Sequence, residues 1–416
     1  MQTHLAPRFE GTPEGDEAEA ILRKCVHCGF CTATCPTYQL LGDELDGPRG
    51  RIYLMKQVLE GAPVTRSTQL HLDRCLSCRN CESTCPSGVQ YGHLIDIVRP
   101  IVDGLVERPA REKATRWLLK EGLTSPLFAP AMRLGQALRP LVPAALKGKV
   151  PARAGARAHQ WPTRTHPRKV LMLMGCVQPA MMPNINSATA RVLDAAGIQT
   201  VVADQAGCCG AIRTHLNDTA GGLADMRRNI DAWWPLISGG PGSLAGVEAI
   251  VMNASGCGVT VKDYGHALAR DPAYADRARR IGGLTRDLSE LLPDLVPRLK
   301  TRVRLRGGPT RLAFHPPCTL QHGQQLRGSV EMHLIALGFD VRVAPSESHL
   351  CCGSAGTYSV LQPELADRLR DRKLENLAPL EAQTIVSANL GCIQHLQTGT
   401  TTPVKHWIEV LDDALA

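Results

Sequence analysis

The sequence predicts an α/β protein with an all-α domain at its amino terminus and two duplicated sheet-forming units at its carboxyl end. Three observations carry this reading. Eight of the sixteen cysteines stand in two short runs before residue 110, among stretches of helical periodicity. The other eight recur at matched positions in two later segments that alternate short apolar runs with helical ones. Between the two groups lies a basic segment rich in Pro, Gly and Ala and free of acids.

Residues 1–110 form the first domain. EAEAILRKC brings apolar positions at helical spacing up to Cys25. GRIYLMKQVLEG, residues 50–61, reads as a helix between the cysteine runs, with Gly61 suited to end it. Residues 111–146 read as a helical connector. Its stretch 127–146 is apolar, but arginines and prolines interrupt it, so it is expected to pack as a helical unit and not to cross a membrane. Residues 147–169 carry seven Lys or Arg and no acid, and read as a solvated basic linker.

Residues 170–300 and 301–416 are two copies of one unit. The first runs KVLMLMGC, NINSATARVLDAAG, QTVVADQAGCCG and VEAIVMNASGCG; the second runs TRLAFHPPC, SVEMHLIALG, FDVRVAPSESHLCCG and AQTIVSANLGC. Cys176 matches Cys318, Cys208 and Cys209 match Cys351 and Cys352, and Cys257 matches Cys392, at offsets of 142, 143 and 135. The register holds across two landmarks and slips at the third, which places a short extra loop in the first copy. Each copy is expected to be a Rossmann-like unit with a parallel sheet. Its cysteines fall where apolar runs end, so four thiols from separate loops can converge outside the carboxyl ends of the strands.

The first run is Cys25, Cys28, Cys31 and Cys35, followed by Pro36; the second is Cys75, Cys78, Cys81 and Cys85, followed by Pro86. Both have the C-x2-C-x2-C-x3-C-P spacing of two-cluster ferredoxins, so the domain reads as ferredoxin-type with two [4Fe–4S] clusters. The short spacing wraps three thiolates round one cluster, and the proline turns the fourth towards the other. The first cluster is therefore assigned to Cys25, Cys28, Cys31 and Cys85, and the second to Cys75, Cys78, Cys81 and Cys35. Structural zinc sites set two CxxC pairs farther apart.

The later sets are Cys176, Cys208, Cys209 and Cys257, a possible third site, and Cys318, Cys351, Cys352 and Cys392, a possible fourth. Adjacent cysteines bridge only with strain, so each set can hold a further iron–sulfur cluster, a zinc ion or a redox thiol pair. Gly210 and Gly353 are expected to let the backbone approach whatever the thiolates hold. His27, His315, His322 and His395 lie beside cysteines and can tune a cluster through hydrogen bonds. Trp233 and Trp234 read as packing residues.

The rest of the composition excludes several classes. Aromatic residues make up 4% and the net charge is +8, which suits neither base stacking nor a nucleic-acid groove. Five acids before residue 20 fit neither a signal nor a transit peptide, and thiols kept in a reducing, cytoplasmic compartment serve as metal ligands sooner than as disulfides. There is no G-x-G-x-x-G after a strand, no P-loop and no G-x-S-x-G, so no flavin, nicotinamide, catalytic or substrate-binding residue is assigned.

CVHCGFCTATCPTYQLLGDELDGPRGRIYLMKQVLEG, CLSCRNCESTCPSGV, NIDAWWP, CTLQH and HLCCGSAGTY together resemble the iron–sulfur subunit of bacterial glycolate oxidase, over essentially the whole chain. The resemblance implies an electron-transfer subunit that works with FAD-binding partner subunits oxidising glycolate to glyoxylate. It passes their electrons to a quinone or another acceptor, in the cytoplasm or peripherally on the cytoplasmic face of the inner membrane. The wider CCG-repeat (cysteine-rich) group includes similar subunits of lactate and anaerobic glycerol-3-phosphate dehydrogenases and of heterodisulfide reductases. In the last, each repeat ends in CxxC; here Ala254 and Asn389 stand at the first position of that pair, which argues against disulfide reduction.

Overall fold

The computed structural model describes residues 1–141, 150–240, 242–305 and 308–415. The amino-terminal part is helical. Thr12 caps the helix Pro13–Lys24 by accepting from Gly15 N at 3.1 Å, and Pro48–Leu59 is the helix between the cysteine runs. These pack with Arg66–Asp73 and Tyr91–Leu105 around Leu22, Met55, Leu59, Leu72, Leu94 and Ile95. Two arginines organise the centre. Arg51 Nε donates to His71 O at 2.7 Å, and Arg99 donates to Leu72 O and Cys75 O at 2.6 Å each. They cap the carbonyls at the end of Arg66–Asp73 and so fix where the second cysteine run begins.

The connector is helical, over Ala110–Thr124 and Phe128–Ala137, but the expectation of a packed unit fails. Neither helix buries a residue, and Trp117, Leu118, Leu127, Leu134, Leu138 and Leu141 lie exposed. Residues 142–146 of the connector and 147–149 of the linker lie outside the described residues. The rest of the linker is mostly exposed, in keeping with a solvated linker, and is held at a few points. Arg157 donates to Asp412 Oδ2 at 3.0 Å, Ser187 Oγ donates to Ala158 O at 2.8 Å, and Arg164 pairs with Asp194. Arg157 and Arg164, each more than half exposed, tie the linker to the second and the first sheet unit respectively.

Two four-stranded parallel sheets follow, which bears out the α/β class. β1 (Arg168–Met172), β2 (Ile198–Val201), β3 (Val247–Met252) and β4 (Thr285–Asp287) lie in the order β2-β1-β3-β4. β5 (Arg311–Phe314), β6 (Asp340–Val343), β7 (Thr384–Ser387) and β8 (Val404–His406) repeat that order as β6-β5-β7-β8. Val170 to Met172 and Leu312 to Phe314 are nearly inaccessible, as central parallel strands covered on both faces must be. One continuous core joins both sheets, and Arg191 binds Asp412 Oδ2 across it at 2.7 Å.

The extra length of the first copy is not one loop: its helix Thr219–Ile237 has 19 residues against 15 in Pro363–Leu377, and the rest is spread over the flanking segments. Trp233 is wholly buried in the core on the other face of the first sheet, whereas Arg277 stacks over Trp234 at 5.7 Å. Trp233→Ala is expected to cost about 3–5 kcal/mol, read as a lower urea midpoint.

Candidate metal centres

All sixteen cysteines are free thiols, and they gather at four places. Cys25, Cys28, Cys31 and Cys85 line one small cavity beneath Pro48 and Ile52, which Cys81 also borders. Burial, with the neighbouring Cys25, Cys28 and Cys85 adding to it, pushes the Cys31 thiol up to about 11. Cys35 lies away from its own run. The thiols whose charge acts on Cys81 are Cys78, Cys75 and Cys35, and burial before all raises Cys81 well above the usual thiol range. Each of these two sets offers four sulfurs, the donor set of a four-iron cluster.

The local backbone explains the convergence. His27 and Gly29 in the first run, and Ser77 and Arg79 in the second, all have φ between 51° and 85°. These left-handed residues stand two and four positions after the leading cysteine and curl each run so that its thiols face inward. Three of the four are not glycine, a strain of about 1–3 kcal/mol each that only a tightly determined loop retains. The sulfurs also receive hydrogen bonds. Ser77 N donates to Cys75 Sγ at 3.4 Å, Tyr91 Oη reaches the same sulfur at 3.6 Å, and Thr37 Oγ1 lies 3.3 Å from Cys35 Sγ. Tyr91 and Arg51, whose charge interacts with Cys75 and Cys35, were not legible as site residues, since nothing in their spacing ties them to a cysteine.

In each sheet unit the thiols come from three loops. Cys176 and Cys318 follow β1 and β5, the paired cysteines follow β2 and β6, and Cys257 and Cys392 occupy the first turns of the helices Ser255–Lys262 and Leu390–Gln397. The thiols touch in series: Cys176 with Cys208, Cys208 with Cys209, Cys209 with Cys257, and likewise Cys318, Cys351, Cys352 and Cys392. The amino-terminal sets are wider, their thiols acting on one another through charge alone.

The glycines after the pairs have φ of 96° and 88°, and each packs tightly against a neighbouring backbone. A Cβ on Gly210 would sit 2.8 Å from Gly222 O, and one on Gly353 would sit 2.3 Å from Ala366 O. That close approach is to a helix backbone.

The two sheet sites differ in charge. Asp225 hydrogen-bonds Cys208 in the first. In the second, the Lys373 ammonium donates to Glu347 O at 2.5 Å; burial lowers its pKa, against the pull of Cys318, Cys352 and Cys351. Of the four histidines beside cysteines, His322 lies 3.0 Å from Ser83 Oγ and 2.9 Å from His349 O, and His395 lies 3.0 Å from Ala366 O. His27 stacks edge-on against Tyr53. Neither ring nitrogen of His315 has a hydrogen-bond partner.

The second amino-terminal set abuts the second sheet site. Leu76 and Cys78 pack with Cys318, Cys351, Tyr358 and Leu365, and Cys78 is in hydrogen-bonding contact with Cys318. Tyr358 Oη donates to Arg74 O at 3.1 Å, locking the domain there. A cavity of about 1900 Å³ at the junction is lined by Cys75 and Cys78 and by thiols of both sheet units.

Residues 21–89 match the family described as 4Fe-4S dicluster domain, and residues 170–262 and 312–397 each match the Cysteine-rich domain. The chain is 53% identical to the "Glycolate oxidase iron-sulfur subunit" of Escherichia coli (strain K12), over 100% of this chain and 99% of that protein. It is 29% identical to the "Probable glycolate oxidase iron-sulfur subunit" of Bacillus subtilis (strain 168), over 92% and 90% of the two chains. It is 25% identical to "Lactate utilization protein A" of Geobacillus thermodenitrificans (strain NG80-2), over 59% of this chain and 98% of that one.

Proposed function

Because the chain belongs to the family of glycolate oxidase iron–sulfur subunits, we propose that it relays electrons within a glycolate-oxidising complex. The donor is the flavin of a FAD-binding partner that turns glycolate into glyoxylate, and the acceptor is a quinone or another carrier. The observation that carries this reading is the pair of crossed four-thiol sets, one open to solvent and one enclosed. Cys25, Cys28, Cys31 and Cys85 hold one [4Fe–4S] cluster, and Cys75, Cys78, Cys81 and Cys35 hold the other. Bound there, the two clusters supply one-electron transfer, matching a two-electron flavin to stepwise relay.

The chain's own residues set direction and environment. Cys28 is exposed, and Val26 and Phe30 beside it are 68% and 62% exposed, a rim that supports docking of the flavin partner at the first set. The Ser77 amide and Tyr91 hydroxyl donate to Cys75, and the Arg51 cation lies among the thiolates of the second set, all of which stabilise negative charge there. The parallel order β2-β1-β3-β4 supports reading each repeat as Rossmann-like. Among the described residues no helix is long and apolar enough to cross a membrane. Peripheral attachment to the cytoplasmic face of the membrane is supported by the exposed apolar row from Trp117 to Leu141.

The test is glycolate-dependent quinone reduction by the reassembled complex. Cys28→Ser, at an exposed position, is expected to abolish it while glycolate still bleaches the partner's flavin. Unchanged quinone reduction would sink the relay. An iron count of about eight from the amino-terminal domain, with matching low-temperature EPR, is expected for the anaerobically purified chain.

A further inference from the structure

The two sheet units share the four-thiol arrangement but differ at one buried position. Three residues before Cys318 stands His315, and three residues before Cys176 stands Leu173. Both are buried at the carboxyl end of the first strand of their unit. His315 is fixed at its backbone, its N donating to Val386 O at 2.8 Å and its O accepting from Ser387 Oγ at 2.9 Å. Its imidazole is 1% exposed, and both ring nitrogens lack a hydrogen-bond partner. A native structure rarely leaves such a group unsatisfied without a ligand or another use for it.

The ring points among sulfurs. A nitrogen of His315 and the Sγ atoms of Cys352 and Cys392 all lie within 4.8 Å of one another, and all three residues are buried. Around one tetrahedral ion, with metal–sulfur bonds of about 2.3 Å and metal–nitrogen bonds of about 2.0 Å, donors stand about 3.5–3.8 Å apart. The grouping is therefore close to that of a single ion, and tighter than the amino-terminal sets, whose thiols do not touch. Thiolate with neutral imidazole is the donor set of a borderline-soft divalent cation, with zinc foremost.

We propose that the second sheet unit binds one zinc ion through His315, Cys352 and Cys392, with the fourth position taken by one thiol, Cys318 or Cys351. The ion staples together the loops after β5, β6 and β7, on the face where Leu76 and Cys78 dock. The first unit, with Leu173 in place of the histidine, lacks the nitrogen donor and holds a different occupant or none. This assignment is independent of the relay, since it asks nothing of electron flow.

Zinc and iron are counted together on the anaerobically purified full-length chain from zinc-replete cells, with EPR of the reduced state recorded on the same samples. Wild type is expected to carry about one zinc per chain. His315→Leu copies the residue of the first unit and is expected to lower zinc about tenfold or more with the EPR signals unchanged, and His315→Cys to restore it. Wild-type chain without zinc, or His315→Leu that keeps it, overturns the proposal. Should His315→Leu fail to fold, X-ray absorption at the zinc edge of the wild type decides. A mixed nitrogen–sulfur shell supports the site and an all-sulfur shell overturns it. Loss of the EPR signals in the wild type would strike at the relay alone, since the zinc count on the same samples decides the site by itself.

Discussion

Cys35→Ser is expected to remove the cluster of the second run and spare that of the first, although Cys35 closes the first run in sequence. Cys35 lies with Cys78 and Cys81 under the cap of Arg51, while Cys25, Cys28 and Cys31 take their fourth neighbour from Cys85. Iron should fall by about four per chain, and one of the two EPR-active centres should vanish. Cys85→Ser should do the converse, losing the cluster nearest the exposed Cys28. The same variants should destabilise the domain, because ligand binding and folding are coupled where metal organises the core. If Cys35→Ser abolishes the first-run cluster instead, ligation follows the runs and the crossing is wrong.

Asp46→Ala carries the second largest expected effect, about 3–5 kcal/mol lost from the stability of the amino-terminal domain. Asp46 is wholly buried. Its Oδ1 lies 3.3 Å from Arg51 Nη2 and 3.1 Å from His71 Nδ1, and its Oδ2 accepts from Arg74 Nη1 at 2.9 Å. The Arg51 side chain is itself 1% exposed, so removing the carboxylate leaves a buried cation with only the thiolates of Cys75 and Cys35 to balance it. The cost is mostly that stranded charge and not the worth of the pair. Anaerobic urea unfolding of the cluster-loaded chain reads it as a lower midpoint, and Asp46→Asn, which keeps acceptor capacity, should fall between. An unchanged midpoint in Asp46→Ala would mean that Arg51 is neutralised by the thiolates alone.

Some of this was legible in the sequence and some was not, for separable physical reasons. The helix over Pro48–Leu59 and the parallel strands β1, β3, β5 and β7 follow from local periodicity, and the repeat of the cysteine landmarks anticipates the repeated strand order. Burial in the connector was misjudged, because an apolar stretch does not say whether a partner surface exists to cover Trp117 or Leu134. The linker is largely exposed, as its composition suggests, but its anchoring was not legible, because Asp412 and Asp194, the partners of Arg157 and Arg164, come from far along the chain. Asp46 was invisible as a keystone, since its partners stand at 51, 71 and 74. His315 was visible as a neighbour of Cys318, and the pairing with Leu173 was there to be read; what was missing was the loss of every hydrogen-bond partner, which only the packed structure reveals.

The contact of Leu76 and Cys78 with Cys318, Cys351 and Tyr358 also has a temporal side. During synthesis the amino-terminal domain leaves the ribosome well before the second sheet unit exists, and domains fold as units in that order. For that interval the second cysteine run is uncovered and open to whatever delivers iron and sulfide. Once the second unit folds, it closes over Cys78 like a lid set after the vessel is filled. On the finished chain the way to that site is the junction cavity that Cys75 and Cys78 line, so delivery to it is a matter of when and not only of where.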